Sequence, residues 1–357
     1  MKVGLIGLPQ SGKTTIFNAL TRQNVAVEGY AREKLESHLG VVKVPDPRLD
    51  HLAQAYQPKK LTHAEMVFTD IGCIKRDDGH SEFDMSALRG LDVLAVVIRA
   101  FDSDTVLHPL GDVDPQNDVV YLQSEFILED LSLVEKRLER IEKELKKNKK
   151  DNQLEFEYLQ KFKEHLEEEK PLRTFTMDSE GEKIFRGFQF LTLKPVLYIF
   201  NTGESDSSTA SLAGAQDLLA EKGDMSITLC GNLEMEVSQL DEQDRLAFLD
   251  ELGIAEPALN LFIRTAFSLL SMIVFFTVGK DEVRAWEIQA GITAKEAAGR
   301  IHSDISRGFI RAEVLSYDAF VLCNDSYTVA RSKGLVRLEG KEYKVADGDM
   351  IEYRFNV

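Results

Sequence analysis

A mainly parallel α/β sheet, interrupted by a helical hairpin and followed by a smaller α+β module, is the fold class predicted for this chain. Three observations carry it. Short apolar runs bounded by polar or turn residues recur at Val3–Ile6, Ala64–Asp70, Val93–Ile98, Val196–Asn201 and Ile227–Cys230, with helical patterns between several of them. An apolar seam of Ile127, Leu131, Val134, Leu138, Ile141 and Leu145 steps alternately by four and three, the spacing of a coiled coil. After about residue 275 the pattern changes to a hairpin, a helix and further short strands.

The 357 residues exceed what one hydrophobic core organises, so two or three domains are expected. Lys and Arg number 43 against 60 Asp and Glu, a formal net charge of −17. That balance argues against a non-specific nucleic-acid coat, DNA included, so any RNA contact needs a local basic patch. Cys73, Cys230 and Cys323 are far apart, odd in number and without metal-ligand spacing, as in a reduced protein. The first strand begins at the N-terminus with no charged leader, and no apolar stretch approaches bilayer length, so a cytoplasmic location without membrane partners is expected.

The first strand, Val3–Ile6, runs into Gly7-Leu8-Pro9-Gln10-Ser11-Gly12-Lys13-Thr14 and then a helical pattern, Thr15–Leu20. Two glycines six and one residues before a Lys-Thr pair let successive N–H groups turn inward, and the following helix N-terminus favours an anion. This is a phosphate cradle: Lys13 is placed to reach the β- and γ-phosphates and the Thr14 hydroxyl to ligate Mg²⁺. Thr15 reads as packing or cap chemistry beside it. Asp70 closes the run Met66–Thr69, where a nucleoside triphosphatase keeps the acid that holds Mg²⁺ through its water shell.

The seam continues past a polar break at Lys146–Asn152 into Leu154, Tyr158, Phe162 and Leu166, which predicts an antiparallel hairpin leaving the sheet and returning near residue 185. Lys136–Lys150 is the most basic stretch, either a solvated helix end or a contact surface for RNA or protein. Asn201 ends the strand Val196–Phe200 with Glu204 three positions on, and Cys230-Gly231-Asn232 follow the next strand. In guanine-specific switches the matching pattern is Asn-Lys-x-Asp, whose carboxylate accepts from the guanine edge. Here Thr202 replaces the lysine and the acid is the longer Glu204, which opens the base site to ATP as well as GTP. Cys230, Gly231 and Asn232 are candidates for backbone contacts to the base. In the last module, Ile273–Val278 and Val283–Ile288 flank a Gly279-Lys280 turn, and a helix is expected from Ala294 to about Ile305.

The chain resembles the YchF subfamily of Obg-like P-loop ATPases over nearly its whole length. The residues that carry the likeness include Gly7–Pro9 with Gly12–Thr14, Gly40–Leu49, Asp114-Pro115, Asn201–Glu204, Val283–Trp286, Ala297–His302, Gly308–Val314 and Arg354–Val357. The resemblance implies a P-loop domain over 1–125 and 186–274, a helical coiled-coil insertion over 126–185 and a C-terminal TGS domain of β-grasp form over 275–357. It also implies ATP hydrolysis, often in preference to GTP, and association with the ribosome, with Gly7–Thr14, Asp70 and Asn201–Glu204 at the binding positions.

Both switch segments depart from the family pattern. Lys34 stands where a threonine would ligate Mg²⁺, with Ser37 nearby as a substitute in a shifted register. After Asp70 the glycine comes early, at Gly72, and a charged loop from Lys75 to Asp84 replaces the glycine-rich segment. No glutamine follows to orient water; Ile74 is the nearest analogue of the family's hydrophobic residue there. His80 and His302 read as uninvolved. The predicted activity is a slow, Mg²⁺-dependent nucleoside triphosphatase; a nucleotide-responsive module that hardly cleaves its ligand is the alternative, with a small-molecule kinase third.

Overall fold

The computed structural model describes residues 1–25, 37–75, 81–145, 152–204 and 210–356. Lys34, His80 and the hairpin-tip residues 146–150 lie outside these. In chain order the elements are β1 (Lys2–Ile6), α1 (Lys13–Thr21), β2 (Ser37–Lys43), α2 (Pro47–Tyr56), β3 (Lys60–Thr62), β4 (Glu65–Ile71), β5 (Cys73–Lys75), β6 (Ser81–Phe83), α3 (Met85–Arg89) and β7 (Val93–Ala100). There follow α4 (Pro115–Leu145), α5 (Gln153–Glu167), α6 (Ser179–Phe185), β8 (Val196–Thr202), α7 (Ala210–Glu221), β9 (Met225–Leu229), α8 (Gly231–Gln239), α9 (Glu242–Glu251) and α10 (Ala258–Leu269). The chain closes with β10 (Met272–Thr277), β11 (Glu282–Gln289), α11 (Ala294–Ile301), α12 (Ser303–Arg307), β12 (Phe309–Ser316), α13 (Tyr317–Val321), α14 (Tyr327–Ser332), β13 (Arg337–Glu339) and β14 (Asp349–Phe355).

Two compact units result, one of Met1–Gly40 with Val67–Leu259, the other of Val41–Met66 with Asn260–Val357. The first is built on a six-stranded sheet of order β2-β4-β1-β7-β8-β9. β1 pairs in parallel with both β4 and β7, and β7–β8–β9 continue parallel. Every residue of β7 is buried, as expected for a central strand covered on both faces. β1 lies where the strand order reverses, so the crevice beyond its carboxyl end is the place such sheets offer a ligand.

The predicted hairpin is present. α4 has 31 residues, about 46 Å at 1.5 Å per residue, and packs antiparallel to α5. Ile127, Val134, Leu138 and Ile141 meet Leu159, Phe162 and Leu166 in one core. The seam is closed by the returning chain as well: Phe162 lies 4.7 Å from Phe185 and 5.9 Å from Phe190, ring centre to ring centre. A bidentate pair, Arg137 Nε and Nη2 to the Glu155 carboxylate at 2.6 and 2.8 Å, crosses between the helices. In the described part of the basic stretch Arg137 and Arg140 are charge-paired, Arg140 bonding Glu144, and Glu135, Glu139, Glu142, Glu164 and Glu167 line the adjoining groove.

The second unit is a six-stranded sheet of order β13-β12-β14-β10-β11-β3. β10 and β11 form the expected antiparallel hairpin, with Phe275 opposite Trp286. β14 runs parallel to β10 and antiparallel to β12. Phe275, Ile288, Val314 and Ile351 pack against Ala294 and Ala297 of α11, a helix laid over a mixed sheet in the β-grasp manner. β3 was not foreseen: this three-residue strand pairs parallel to β11, Lys60–Thr62 opposite Glu282–Arg284. Asp46 caps α2 through Arg48 N–H, and the Arg48 guanidinium bridges Asp46 and Asp347, whose carboxylate accepts from Val274 N–H.

Two expectations are corrected. The helix predicted from Ala294 to about Ile305 stops at Ile301, because His302 adopts an extended backbone (φ −162°, ψ 143°) and its Nδ1 accepts from Asp304 N–H to start α12. The segment after Asp70 is not all loop: β5 and β6 pair antiparallel, Cys73 opposite Phe83, and the Asp84 carboxylate caps α3 by accepting from Ala87 N–H.

Candidate functional site

Gly7–Gly12 connects β1 to α1 through backbone conformations that L side chains rarely adopt. Gly7 has φ +152° and Gly12 φ +90°. A Cβ on Gly7 would meet the Val97 carbonyl oxygen at 2.3 Å, and one on Gly12 would meet Asn201 Nδ2 at 2.1 Å. These glycines are needed both for torsion and for close approach. Gln10, also at φ +63°, makes the apex of the turn. Pro9 and Ser11 are buried. α1 starts at Lys13 with Gly12 as its N-cap and no capping side chain, leaving first-turn N–H groups oriented as an anion site.

Lys13 folds over this loop, its Nζ donating to the Gly7 and Leu8 carbonyls at 2.9 and 2.8 Å. Neutral carbonyls are weaker partners for an ammonium than phosphate oxygens, so the amine is held in place yet exchangeable. Thr14 Oγ1 donates to Asp70 Oδ2 at 2.8 Å across 56 residues of sequence. The other oxygen, Asp70 Oδ1, is buried with no hydrogen-bond partner among the described residues. A hydroxyl and a carboxylate are hard oxygen donors, suited to Mg²⁺, which takes few protein ligands and keeps several waters. No group of three or more His, Cys, Asp or Glu side chains fit to hold a metal occurs among the described residues. Thr15 is half-buried in the first turn of α1.

Asn201, at the end of β8, is 4% exposed and has both ends of its amide engaged. Nδ2 donates to the Ser11 carbonyl at 2.9 Å and Oδ1 accepts from Gly231 N–H at 2.9 Å. The side chain staples the phosphate loop to the start of α8, so Cys230, Gly231 and Asn232 come to the same end of the sheet as Gly12. Glu204 is exposed three residues beyond the staple. Ser37 is exposed at the first position of β2. α8 in turn uses its buried Glu234 carboxylate to accept from Ala258 and Leu259 N–H at the start of α10; burial pushes that carboxyl's pKa up, against the lowering by these two bonds.

Sequence reasoning missed Phe101 and Arg99. The Phe101 ring comes within 4.0 Å of the Cβ position at Gly12, and its Cβ within 3.7 Å of that at Gly203, so it walls the crevice between the phosphate loop and the Asn201–Glu204 segment. The available signal was Arg99, a charged residue next to the end of an otherwise wholly apolar strand; a buried charge is the informative exception to core composition.

A glycine-bounded loop at the carboxyl end of β1, a lysine over it, and a Thr–Asp pair beside it define a P-loop nucleoside triphosphatase domain. Residues 2–153 match a family described as a 50S ribosome-binding GTPase, and residues 272–356 match a YchF-type GTPase C-terminal domain described as a protein of unknown function. The chain is 40% identical over 365 residues to a ribosome-binding ATPase YchF of Bacillus subtilis, covering 100% of both chains, and 37% identical to that of Haemophilus influenzae, covering 100% and 99%. A solved YchF GTPase of Schizosaccharomyces pombe superposes with a TM-score of 0.84 at 28% identity, over 99% of this chain and 97% of that one. The chain belongs to the YchF family.

Proposed function

We propose that this protein is a Mg²⁺-dependent hydrolase of nucleoside triphosphates that uses ATP in preference to GTP and works in the cytoplasm on the ribosome. The observation that carries the reading is the Gly7–Thr14 loop with Lys13 held across it and Thr14 bonded to Asp70. Loop amides and Lys13 bind and orient the β- and γ-phosphates and stabilise the charge that develops as the terminal phosphoryl group leaves. Thr14 would ligate Mg²⁺ directly and Asp70 through water; when bound, the ion supplies charge neutralisation at the phosphate oxygens. Asn201 holds the cradle to the base side, where Glu204, Cys230, Gly231 and Asn232 face the nucleobase. Adenine lacks the paired donors that an Asn-Lys-x-Asp carboxylate reads, which supports ATP. With no glutamine after Asp70 to orient water, intrinsic turnover is slow.

Ribosome association is supported by the relatives' names and by the division of labour in the chain: a nucleotide domain over 1–125 and 186–274, less the Val41–Met66 segment that belongs to the C-terminal unit, a helical insertion over 126–185 and a β-grasp domain over 275–357. No described helix is long and apolar enough to cross a membrane. The test is Lys13→Ala, which removes the cradle's ammonium. Expected is a loss of ATP hydrolysis or of ATP binding; unchanged steady-state ATPase activity would reject the assignment. Single-turnover hydrolysis with Mg²⁺ separates an enzyme from a binding module, since a module would hold its triphosphate intact.

A further inference from the structure

At the end of β7 the chain enters a connection to α4 with little regular structure of its own, residues 101–114, and two carbonyls of its first half are bonded by one side chain. Arg99 is 2% exposed. Its Nε donates to the Phe101 carbonyl at 3.1 Å and its Nη2 to the Val106 carbonyl at 2.9 Å. The guanidinium also lies 4.6 Å from the centre of the Phe101 ring, within the range of a cation–π contact. Phe101 is thereby held at both its backbone and its ring by the same group.

The buried cation is supported from behind. Asp118, in the first turn of α4, is 1% exposed and pairs with His108 Nε2 at 3.0 Å. His108 Nδ1 accepts from Leu110 N–H, which fixes Nε2 as the protonated nitrogen and the donor to Asp118. Burial pushes the Arg99 pKa down, and the Asp102 and Asp118 charges oppose this by favouring the charged form. Arg99 Nη1 and Asp118 Oδ1 have no partner among the described residues, so the two ions are coupled by field rather than by a direct bond. Arg99 also lies opposite Asn201 in the β7–β8 register, one strand away from the staple that fixes the phosphate loop.

We propose that Arg99 is a positioning residue for nucleotide affinity: it sets the Phe101 wall against Gly12 and Gly203, with the His108–Asp118 pair as its counter-charge. The proposal rests on the reading of Gly7–Thr14 as a nucleotide cradle. A free Phe101 would sample several rotamers and would have to be ordered on binding, whereas the guanidinium orders it in advance. Arg99 touches no phosphate in this scheme and acts only through Phe101.

The test is a double-mutant cycle on the full chain, with ATP and GTP affinities measured by calorimetry in Mg²⁺ alongside kcat and KM. Arg99→Lys keeps the charge but loses the fork that reaches two carbonyls, and should weaken ATP about tenfold in Kd and KM with kcat changed less than about threefold. Phe101→Ala should weaken ATP by a similar factor. Combined, the two should cost no more than Phe101→Ala alone, since groups acting through one another are non-additive. A merely structural arginine would give multiplicative losses, or a fall in kcat with KM unmoved, and either result overturns the proposal. So does a Phe101→Ala protein that binds ATP as the parent does. If Arg99→Lys fails to fold, Asp118→Asn decides by the same criterion: about a threefold loss that vanishes in the Phe101→Ala background supports the proposal, and a loss that persists there overturns it. A parent protein that binds no triphosphate would refute the nucleotide cradle itself, a different outcome.

Discussion

Asn201→Asp changes one atom's worth of chemistry at the point where the phosphate loop meets α8. The new carboxylate still accepts from Gly231 N–H but replaces the Nδ2 donor with an oxygen, facing the Ser11 carbonyl at a position now 2.9 Å away. Leaving a buried acceptor unpaired costs about 1–3 kcal/mol, and two opposed oxygens in a site 4% exposed put the cost toward the upper end. At about 1.4 kcal/mol per factor of ten, ATP affinity should fall roughly ten- to a hundredfold if the loop must be restored on binding. Asn201→Ala breaks both bonds and should cost about twice as much by the same reckoning. Urea denaturation of the free protein reads the stability change and calorimetric titration with Mg²⁺ and each triphosphate reads the affinity. Because the amide is spent on the staple, ATP and GTP should weaken by the same factor. An Asn201→Asp protein with parent-like stability and affinity would refute the staple, and a selective loss of one nucleotide would show that this side chain reads the base directly.

Asp70→Asn keeps the size of the carboxylate but not its charge, and, with Asp70 as the proposed outer-sphere ligand, should raise the Mg²⁺ concentration for half-maximal ATPase by about ten- to a hundredfold; a Mg²⁺ titration of initial rates checks it. Asp114 caps the start of α4, accepting from Ser211 Oγ and Asn117 N–H, and these bonds hold its carboxyl below the ordinary value of 3.8. Folding therefore favours the ionised form, so its contribution is present above about pH 3.8 and fades as pH falls through the lower folded value. The stability difference between parent and Asp114→Asn should shrink from pH 6 toward pH 3, as followed by urea unfolding at each pH; a constant difference would contradict the sign. Reversing the charge of Lys147, Lys149 and Lys150 together should reduce ribosome co-sedimentation while leaving ATP affinity alone, and undiminished co-sedimentation would remove the hairpin tip from the contact surface.

Features encoded by local spacing were legible before any coordinates. The phosphate loop needs only Gly7 and Gly12 at their torsions and a helix to follow, and a seam of fours and threes specifies a helical pair whatever surrounds it. The five sheet strands read as apolar runs were all present, with ends shifted by a residue or two. Boundaries that depend on one residue's contacts were not legible: nothing in Ala294–Ile305 marks His302 as a helix end until its ring is seen accepting from Asp304 N–H. β3 is three residues long with two of them polar, too short for periodicity to register, and it exists because β11 offers an unpaired edge.

What the chain determined alone is the chemistry available to it: an anion cradle, a hydroxyl and a carboxylate, proposed here to serve a divalent ion, a helical hairpin and a separate α+β module. Tertiary structure decided which groups work together. Asn201 reaches a loop 190 residues away, Thr14 meets Asp70, Arg99 fixes Phe101 beside Gly12, and residues 41–66 join the unit of the C-terminal sheet rather than that of their sequence neighbours. Torsional preference and helical periodicity act over a few residues and are written in order along the chain. Hydrogen bonding and burial act through space, between partners whose separation in sequence carries no trace of their contact.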